Sequence, residues 1–312
     1  MVKNSDILYL YDARLTNPNG DPDDENRPRM DFERFRNLVS DVRLKRYIRD
    51  YLEEKGHEIF VSKDEGKTIN ATRRLELLAE KNDKKLDELS TQLVLENLTD
   101  VRLFGATMPI QASDDGKGSS LTFTGPVQFN WGYSLHEVEL VESNSITSHF
   151  SSESKNEQGA IGKDYRLYYS LVGFHGVVSG MRAEKTNLKE EDLKLLRSAL
   201  KKAIPMLATR SKIGQYPRFI LQVEYSNKET FIGDLRDYVQ VKSDLEDKKI
   251  RDIDDYILDI SQLLDRLKNT AEDINKIYYW QDDALKVLAG GREARLEELL
   301  KKVNLDSFAE KV

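Results

Sequence analysis

The order in which apolar periodicities change restricts the fold of this chain more than any single motif does. Residues 7–14 hold the run Ile7-Leu8-Tyr9-Leu10-Tyr11 and are closed by Asn17-Pro18-Asn19-Gly20, which reads as a buried strand and a turn. Phe32, Phe35, Leu38, Val39 and Val42, then Leu44, Ile48 and Leu52, return at helical spacing over 32–55, with Asp31 placed to cap and Gly56 to stop. Near-alternation over 121–131 (Leu121, Phe123, Val127, Phe129, Trp131) predicts a strand with a bulge or edge at Gly125-Pro126. Strand character returns over 165–179, a helical stripe of Leu193, Leu196, Leu200, Ile204 and Leu207 over 188–207, and alternation over 217–225. Strand, helix, strand, strand, helix, strand is the α+β, βαββαβ order of ferredoxin-like and RNA-recognition-like folds.

Two stretches interrupt that core. Residues 57–119 contain a hairpin around Asp64-Glu65-Gly66-Lys67 and two charged helices over 72–80 and 84–97, and 143–164 is a Ser/Asn/Gly-rich exposed excursion. The expected division is a core over 1–240 with these two insertions, then a charged, largely helical extension over 241–312. Ile250, Ile253, Ile257, Ile260, Leu264 and Leu267 there predict one long helix, followed by a strand over 274–280 and a helix over 292–302.

Charge bears on partners. The net charge of −7 argues against a uniformly basic surface, yet residues 27–49 hold eight bases (Arg27, Arg29, Arg34, Arg36, Arg43, Lys45, Arg46, Arg49) against three acids. Residues 252–283 hold nine acids and three bases and carry much of the compensating charge. A breaker-rich loop running into a basic helix suits the gripping of a polyanion. Arg73 and Arg74, Arg182, and Arg210 with Lys212 sit at ends of predicted elements that a βαββαβ core can bring to one side, where they would follow phosphates irrespective of sequence. Zero cysteines exclude disulfides, thiol nucleophiles and Cys-ligated metals. With no Gly-x-Ser-x-Gly elbow, no phosphate loop and four scattered histidines (His57, His136, His149, His175), neither a cofactor nor a catalytic set is expected. Asp21, Asp23, Asp24 and Glu25 lack the spacing of a calcium loop. No apolar run reaches membrane-spanning length, and the N-terminus lacks a signal-peptide pattern, so cytoplasmic residence is the expectation.

Beyond these physical readings, Asn17-Pro18-Asn19-Gly20-Asp21-Pro22, Glu25-Asn26-Arg27-Pro28-Arg29-Met30-Asp31 and Val39-Ser40-Asp41-Val42-Arg43-Leu44-Lys45-Arg46-Tyr47 closely resemble the backbone subunit of type I CRISPR surveillance (Cascade) complexes, in the RAMP superfamily. Arg102-Leu103-Phe104-Gly105, Gly125-Pro126-Val127-Gln128 and Gly173-Phe174-His175-Gly176 extend the resemblance, which covers about residues 7–239 and is nearest to the type I-B form, DevR branch. It implies an RNA-recognition-like palm, a helical finger insertion and a thumb over 143–164. It also implies a noncatalytic subunit that forms a helical filament of its own copies along one guide RNA (crRNA), beside other Cascade subunits, and presents the guide to target DNA. Carried over by motif, Asn19, Arg27, Arg29, Arg43, Lys45 and Arg46 would contact guide phosphates, and His149, Phe150 and Lys163 of the thumb would lie near RNA. The rival expectation is a metal-dependent ribonuclease like type III backbone subunits, with Asp21 or Asp23 as the catalytic acid.

Overall fold

The computed structural model describes residues 1–64, 66–110, 119–142, 145–147 and 161–312. Its centre is a mixed α/β layer whose elements begin, in chain order, with β1 (Ser5–Thr16), β2 (Met30–Asp31), β3 (Arg36–Val39), α1 (Asp41–Glu54), β4 (Val127–Phe129), β5 (Gly132–Ser134) and β6 (Leu167–Val178). After these come α2 (Glu190–Met206), β7 (Gln215–Tyr225), β8 (Ile274–Gln281) and β9 (Ala309–Lys311). The sheet order is β9-β8-β7-β1-β6-β5-β3-β2, with β4 also paired to β6. β1 runs antiparallel to both central neighbours, Ser5 facing Val178 on one side and Glu224 on the other.

The apolar runs in these strands exist because the sheet is buried on both faces. Tyr9, Tyr11 and Ala13 of β1 join Phe174 of β6 under Leu44, Ile48 and Leu52 of α1 and Leu193, Leu196 and Leu200 of α2. Leu8 and Leu10, with Leu171, Leu221 and Val223, face the opposite way into Leu235, Tyr256, Leu258, Leu263 and Leu299. Each such aliphatic side chain contributes about 1.5 to 3 kcal/mol on burial. The insertion has its own small core around Leu75, Leu78, Val94, Leu98 and Met108. Where it meets the main sheet, Gly105 (φ 73°) and Gly125 press backbone to backbone: a Cβ on Gly125 would meet the Gly105 nitrogen at 2.4 Å.

Three expectations are corrected. The helix over 32–55 begins only at Asp41, capped by Ser40 Oγ on the Arg43 N–H; residues 30–39 are the hairpin β2–β3. Asp31 does accept backbone N–H groups, but those of Glu33 and Arg34 in the hairpin turn, which leaves Phe32 62% and Phe35 42% exposed. The strand over 121–131 is two: Ser119–Thr124 pairs with Gly105–Ile110 in the insertion, and only β4 joins the main sheet.

The C-terminal extension is not largely helical. Ile250, Ile253, Tyr256 and Leu258 are buried, but they lie in or just after 3-10 turns and in the strand Ile257–Asp259, and the helix spans only Ser261–Asn269. Asp255 Oδ2 accepts from the N–H groups of Arg251 and Asp252, and Asp259 Oδ1 from that of Ser261, so carboxylates take the donors a continuous helix needs. This region supplies β8 and β9 and covers the central strands on one face of the sheet. A polar link holds it there, as Arg218 bridges Asp12 (2.8 Å) and Asp282 (2.7 Å), while inside the core Asp6 accepts from Tyr225 Oη (2.6 Å) and Ile232 N–H (2.9 Å). Among the described residues no helix is long and apolar enough to cross a membrane.

Candidate functional site

Loop 17–31, the first turns of α1 and the turn 209–214 meet at the end of β1. Thr16 Oγ1 donates to the Ser211 carbonyl (2.6 Å), as does the Asn17 N–H (3.1 Å). Lys212 Nζ donates to the Asn17 and Pro18 carbonyls, which fastens the turn to the loop. Asn19 Oδ1 accepts from Ser40 N–H (2.8 Å) and Oγ (2.9 Å), which fastens the loop to the cap of α1. Asn19 therefore positions the junction.

Arg43 stands at its centre, its guanidinium 3.9 Å from the Tyr47 ring. It finds no carboxylate partner among the described residues, and its Nε is buried without an acceptor among them. The Lys212 ammonium is pushed down to about 8, first by burial and then by the charge of Arg43. Two cations held this close, one partly desolvated, make a strong local preference for an anion.

A second group lines the same loop farther out. Arg27 lies 4.7 Å from the Tyr165 ring and loosely pairs with Asp24 (3.7 Å) and Glu25 (4.0 Å). Lys163 reaches across to Glu25 (2.7 Å), whose carboxyl is held below its ordinary range by hydrogen bonds from Lys163 and Tyr165. Arg210, 69% exposed at its side chain, and Arg166 share Asp164. Arg166 also donates to the Leu15 carbonyl (2.7 Å), so it ties the strand before Lys163 to the end of β1. Arg29 pairs with Asp21 (3.0 Å) and sits 5.8 Å from the Trp131 ring.

Other expected contacts point elsewhere. α1 spreads its bases over two faces: Lys45 binds Asp41 (3.0 Å) and Gln128 (3.1 Å), Arg49 binds buried Asp100 (2.8 Å), and Arg46 pairs with Asp50 and donates to the Val61 carbonyl (2.8 Å). These three fasten α1 to the insertion and to its strand neighbour. Arg74 is buried against the Ile59 carbonyl and Glu58, and Arg73 pairs with Glu76 and Glu80 on its own helix. Arg182 follows the far end of β6, which pairs with the start of β1. The twelve residues of β1 at about 3.3 Å each put it tens of ångströms from Arg43. His149 and Phe150 lie outside the described residues; the flanking segments Ser145–Thr147 and Ile161–Lys163 pair as antiparallel strands.

The residues that sequence reading missed are aromatic or already paired. Tyr165, Tyr47 and Trp131 each lie beside an arginine of the junction, and Trp131 reads in sequence as one more inward position of an alternating strand. Asp21 offers little to a metal: Oδ2 holds Arg29, and Oδ1 accepts the Asp23 N–H (3.2 Å). His136 is kept neutral by burial, its imidazole pushed down to about 4, with Nε2 accepting the Leu171 N–H.

The profile of the family described as CRISPR-associated protein Cas7 matches residues 3–261. A CRISPR-associated protein Cas7 of Haloferax volcanii is 35% identical over 314 residues, covering 95% of this chain and 92% of that one. Among solved structures, a chain of a CRISPR RNA-guided surveillance complex, pre-nicking, superposes with a TM-score of 0.50 at 12% identity, covering 97% of this chain and 100% of that one. A chain of a second CRISPR RNA-guided surveillance complex gives 0.50 at 15% identity, over 98% and 100%. At such identities these two likenesses concern the fold. The chain belongs to the CRISPR-associated protein Cas7 family.

Proposed function

We infer that this protein is a noncatalytic backbone subunit of a type I CRISPR surveillance complex, of the type I-B form and DevR branch, that binds guide RNA by its phosphates. Copies stack head to tail along one guide beside other Cascade subunits in the cytoplasm, and the guide so held pairs with target DNA. The palm is the ferredoxin-like unit of β1, α1, β4 with β5, β6, α2 and β7, with fingers over 57–119 and a thumb over 143–164.

The observation that carries this reading is the junction at the end of β1, where Arg43 and Lys212 stand together with no carboxylate on Arg43 among the described residues. Support comes also from what is closed. The C-terminal region buries the sheet face on which RNA-recognition folds stack bases, since Leu8, Leu10, Leu171 and Leu221 lie beneath it. Strand ends and loops remain to receive RNA, and groups there reach backbone more readily than base edges. Phosphate contact accepts any guide sequence, and an array of such sites fixes the strand in a shape prepared for pairing.

Purification of the full chain from cells making guide RNA tests this: nuclease-sensitive RNA should accompany it, and complementary RNA incubated with the complex and magnesium should stay intact. Absence of RNA overturns the reading. Regularly spaced cuts lost on Asp21→Ala would replace the scaffold with a ribonuclease.

A further inference from the structure

Trp131 is 43% exposed and, with exposed Asn130, stands between buried Phe129 and buried Gly132. It occupies the break between β4 and β5, where the chain leaves regular pairing: the Asn130 N–H donates to the His175 carbonyl, and β5 resumes with Gly132 facing Val39. Its backbone is pinned at both ends. The N–H donates to Asn130 Oδ1 (2.8 Å), and the carbonyl accepts from Arg236 Nη1 (2.8 Å), whose guanidinium is buried and paired with Asp234. The indole is thus an anchored group with one side in solvent.

Its place relative to the junction gives it a use. Register puts Trp131 beside Ser40, the cap of α1 that Asn19 holds, one turn before Arg43. Arg29 sits 5.8 Å from the ring and is itself fixed by Asp21. A flat aromatic surface beside one fixed arginine, one helical turn from a phosphate-seeking arginine, has the composition of a single-strand binding platform.

We propose that Trp131 is a nucleobase-stacking platform: a base of the guide lies on the indole while the adjoining phosphates meet Arg43 and Lys212. This rests on the guide-RNA reading and adds a contact to a base face. Because every base has a π face, the platform keeps the protein indifferent to sequence.

Trp131 is one of two tryptophans. The other, Trp280, packs against the core 5.3 Å from Lys201, so Trp280→Phe leaves a single reporter in an otherwise intact chain. Short single-stranded oligonucleotides of U, A or C should quench that emission on binding. Trp131→Leu should weaken binding of all three about 5- to 100-fold, the effect of losing one base stack. The slope of log affinity against log salt should not change, because no phosphate contact is lost. Trp131→Phe should recover most of the affinity.

Binding without quenching, with Trp131→Leu as tight as the parent, overturns the platform and leaves the guide-RNA reading standing. Unchanged oligonucleotide affinity with lost self-association of the RNA-free chain overturns it in favour of a contact between copies. If the parent chain binds no oligonucleotide at all, the guide-RNA reading falls, and the platform with it.

Discussion

The arginines that tie the insertion to the rest of the chain and the pair Arg43 and Lys212 at the end of β1 are all long-chain cations, yet they have opposite fates. Arg102 spends its guanidinium inside the protein, on Asp192 (2.7 and 2.9 Å), the carbonyls of Leu95 and Glu96, and Thr99 Oγ1. Arg74 and Arg49 are likewise turned onto Glu58 and Asp100. Arg43 and Lys212 instead have neutral neighbours, an aromatic face and two backbone carbonyls. Carbonyl dipoles and rings stabilise a cation without cancelling its charge, so the second group keeps its field for a partner while the first holds the architecture.

The largest effect that would sharpen this contrast is structural. Arg102→Ala strands the Asp192 carboxylate, 3% exposed at its side chain, and breaks the link between the insertion and α2. Removing one partner of a buried pair costs about 3 to 5 kcal/mol. Urea denaturation should show that loss, while any folded fraction binds RNA with an unaltered salt slope. A variant that kept its stability and lost a phosphate contact would move Arg102 into the binding group and erase the distinction.

Sequence reading recovered the long central strands β1, β6 and β7 because burial on both faces writes itself as unbroken apolar runs such as Ile7-Leu8-Tyr9-Leu10-Tyr11. It misplaced the start of α1 because Phe32, Phe35 and Leu38 imitate a helical period, although two of the three are solvent-facing residues of a hairpin turn. Ser40, three residues before Arg43, carried the true cap signal. In the candidate site, local density of charge was legible but its pairing was not. Asp192 is 90 residues from Arg102 in sequence and Asp100 is 51 from Arg49, so nothing local distinguishes a neutralised arginine from an available one. The C-terminal region was misread for a related reason: its apolar spacing is correct for burial, but Asp252, Asp255 and Asp259 stop the helix.

A smaller effect separates the two groups by function. Arg43→Ala should weaken guide RNA roughly tenfold for unrelated sequences alike, the worth of a hydrogen bond to a charged group. It should also flatten the salt dependence by about 0.7 of a log unit per log unit, one phosphate contact on a single strand. Arg73→Ala, whose partners Glu76 and Glu80 lie on the same exposed helix face, should change neither quantity. Equal losses from the two variants would show that charge count, and not pairing, governs binding. The pair Lys45→Ala and Arg46→Ala should loosen the insertion without lowering the slope, since both side chains are engaged with it or with α1.

The smallest effect is a fraction of a proton, and it tests Lys212 directly. Burial and Arg43 hold its ammonium at about 8, well below the ordinary lysine value. An approaching phosphate favours the charged form and raises that value again. Near pH 8, where the unbound side chain is about half charged, RNA binding should therefore take up as much as about half a proton. Titration calorimetry in two buffers of different ionisation enthalpy reads this uptake, and it should shrink towards zero at pH 6.5, where Lys212 is already protonated. Affinity should accordingly fall as pH rises past 8 and level off above the value reached in the complex. Lys212→Arg, charged throughout this range, should abolish both the uptake and the pH dependence. Uptake that persists in Lys212→Arg would assign the proton to another group and leave Lys212 as a fastener of the loop, on the structural side of the comparison.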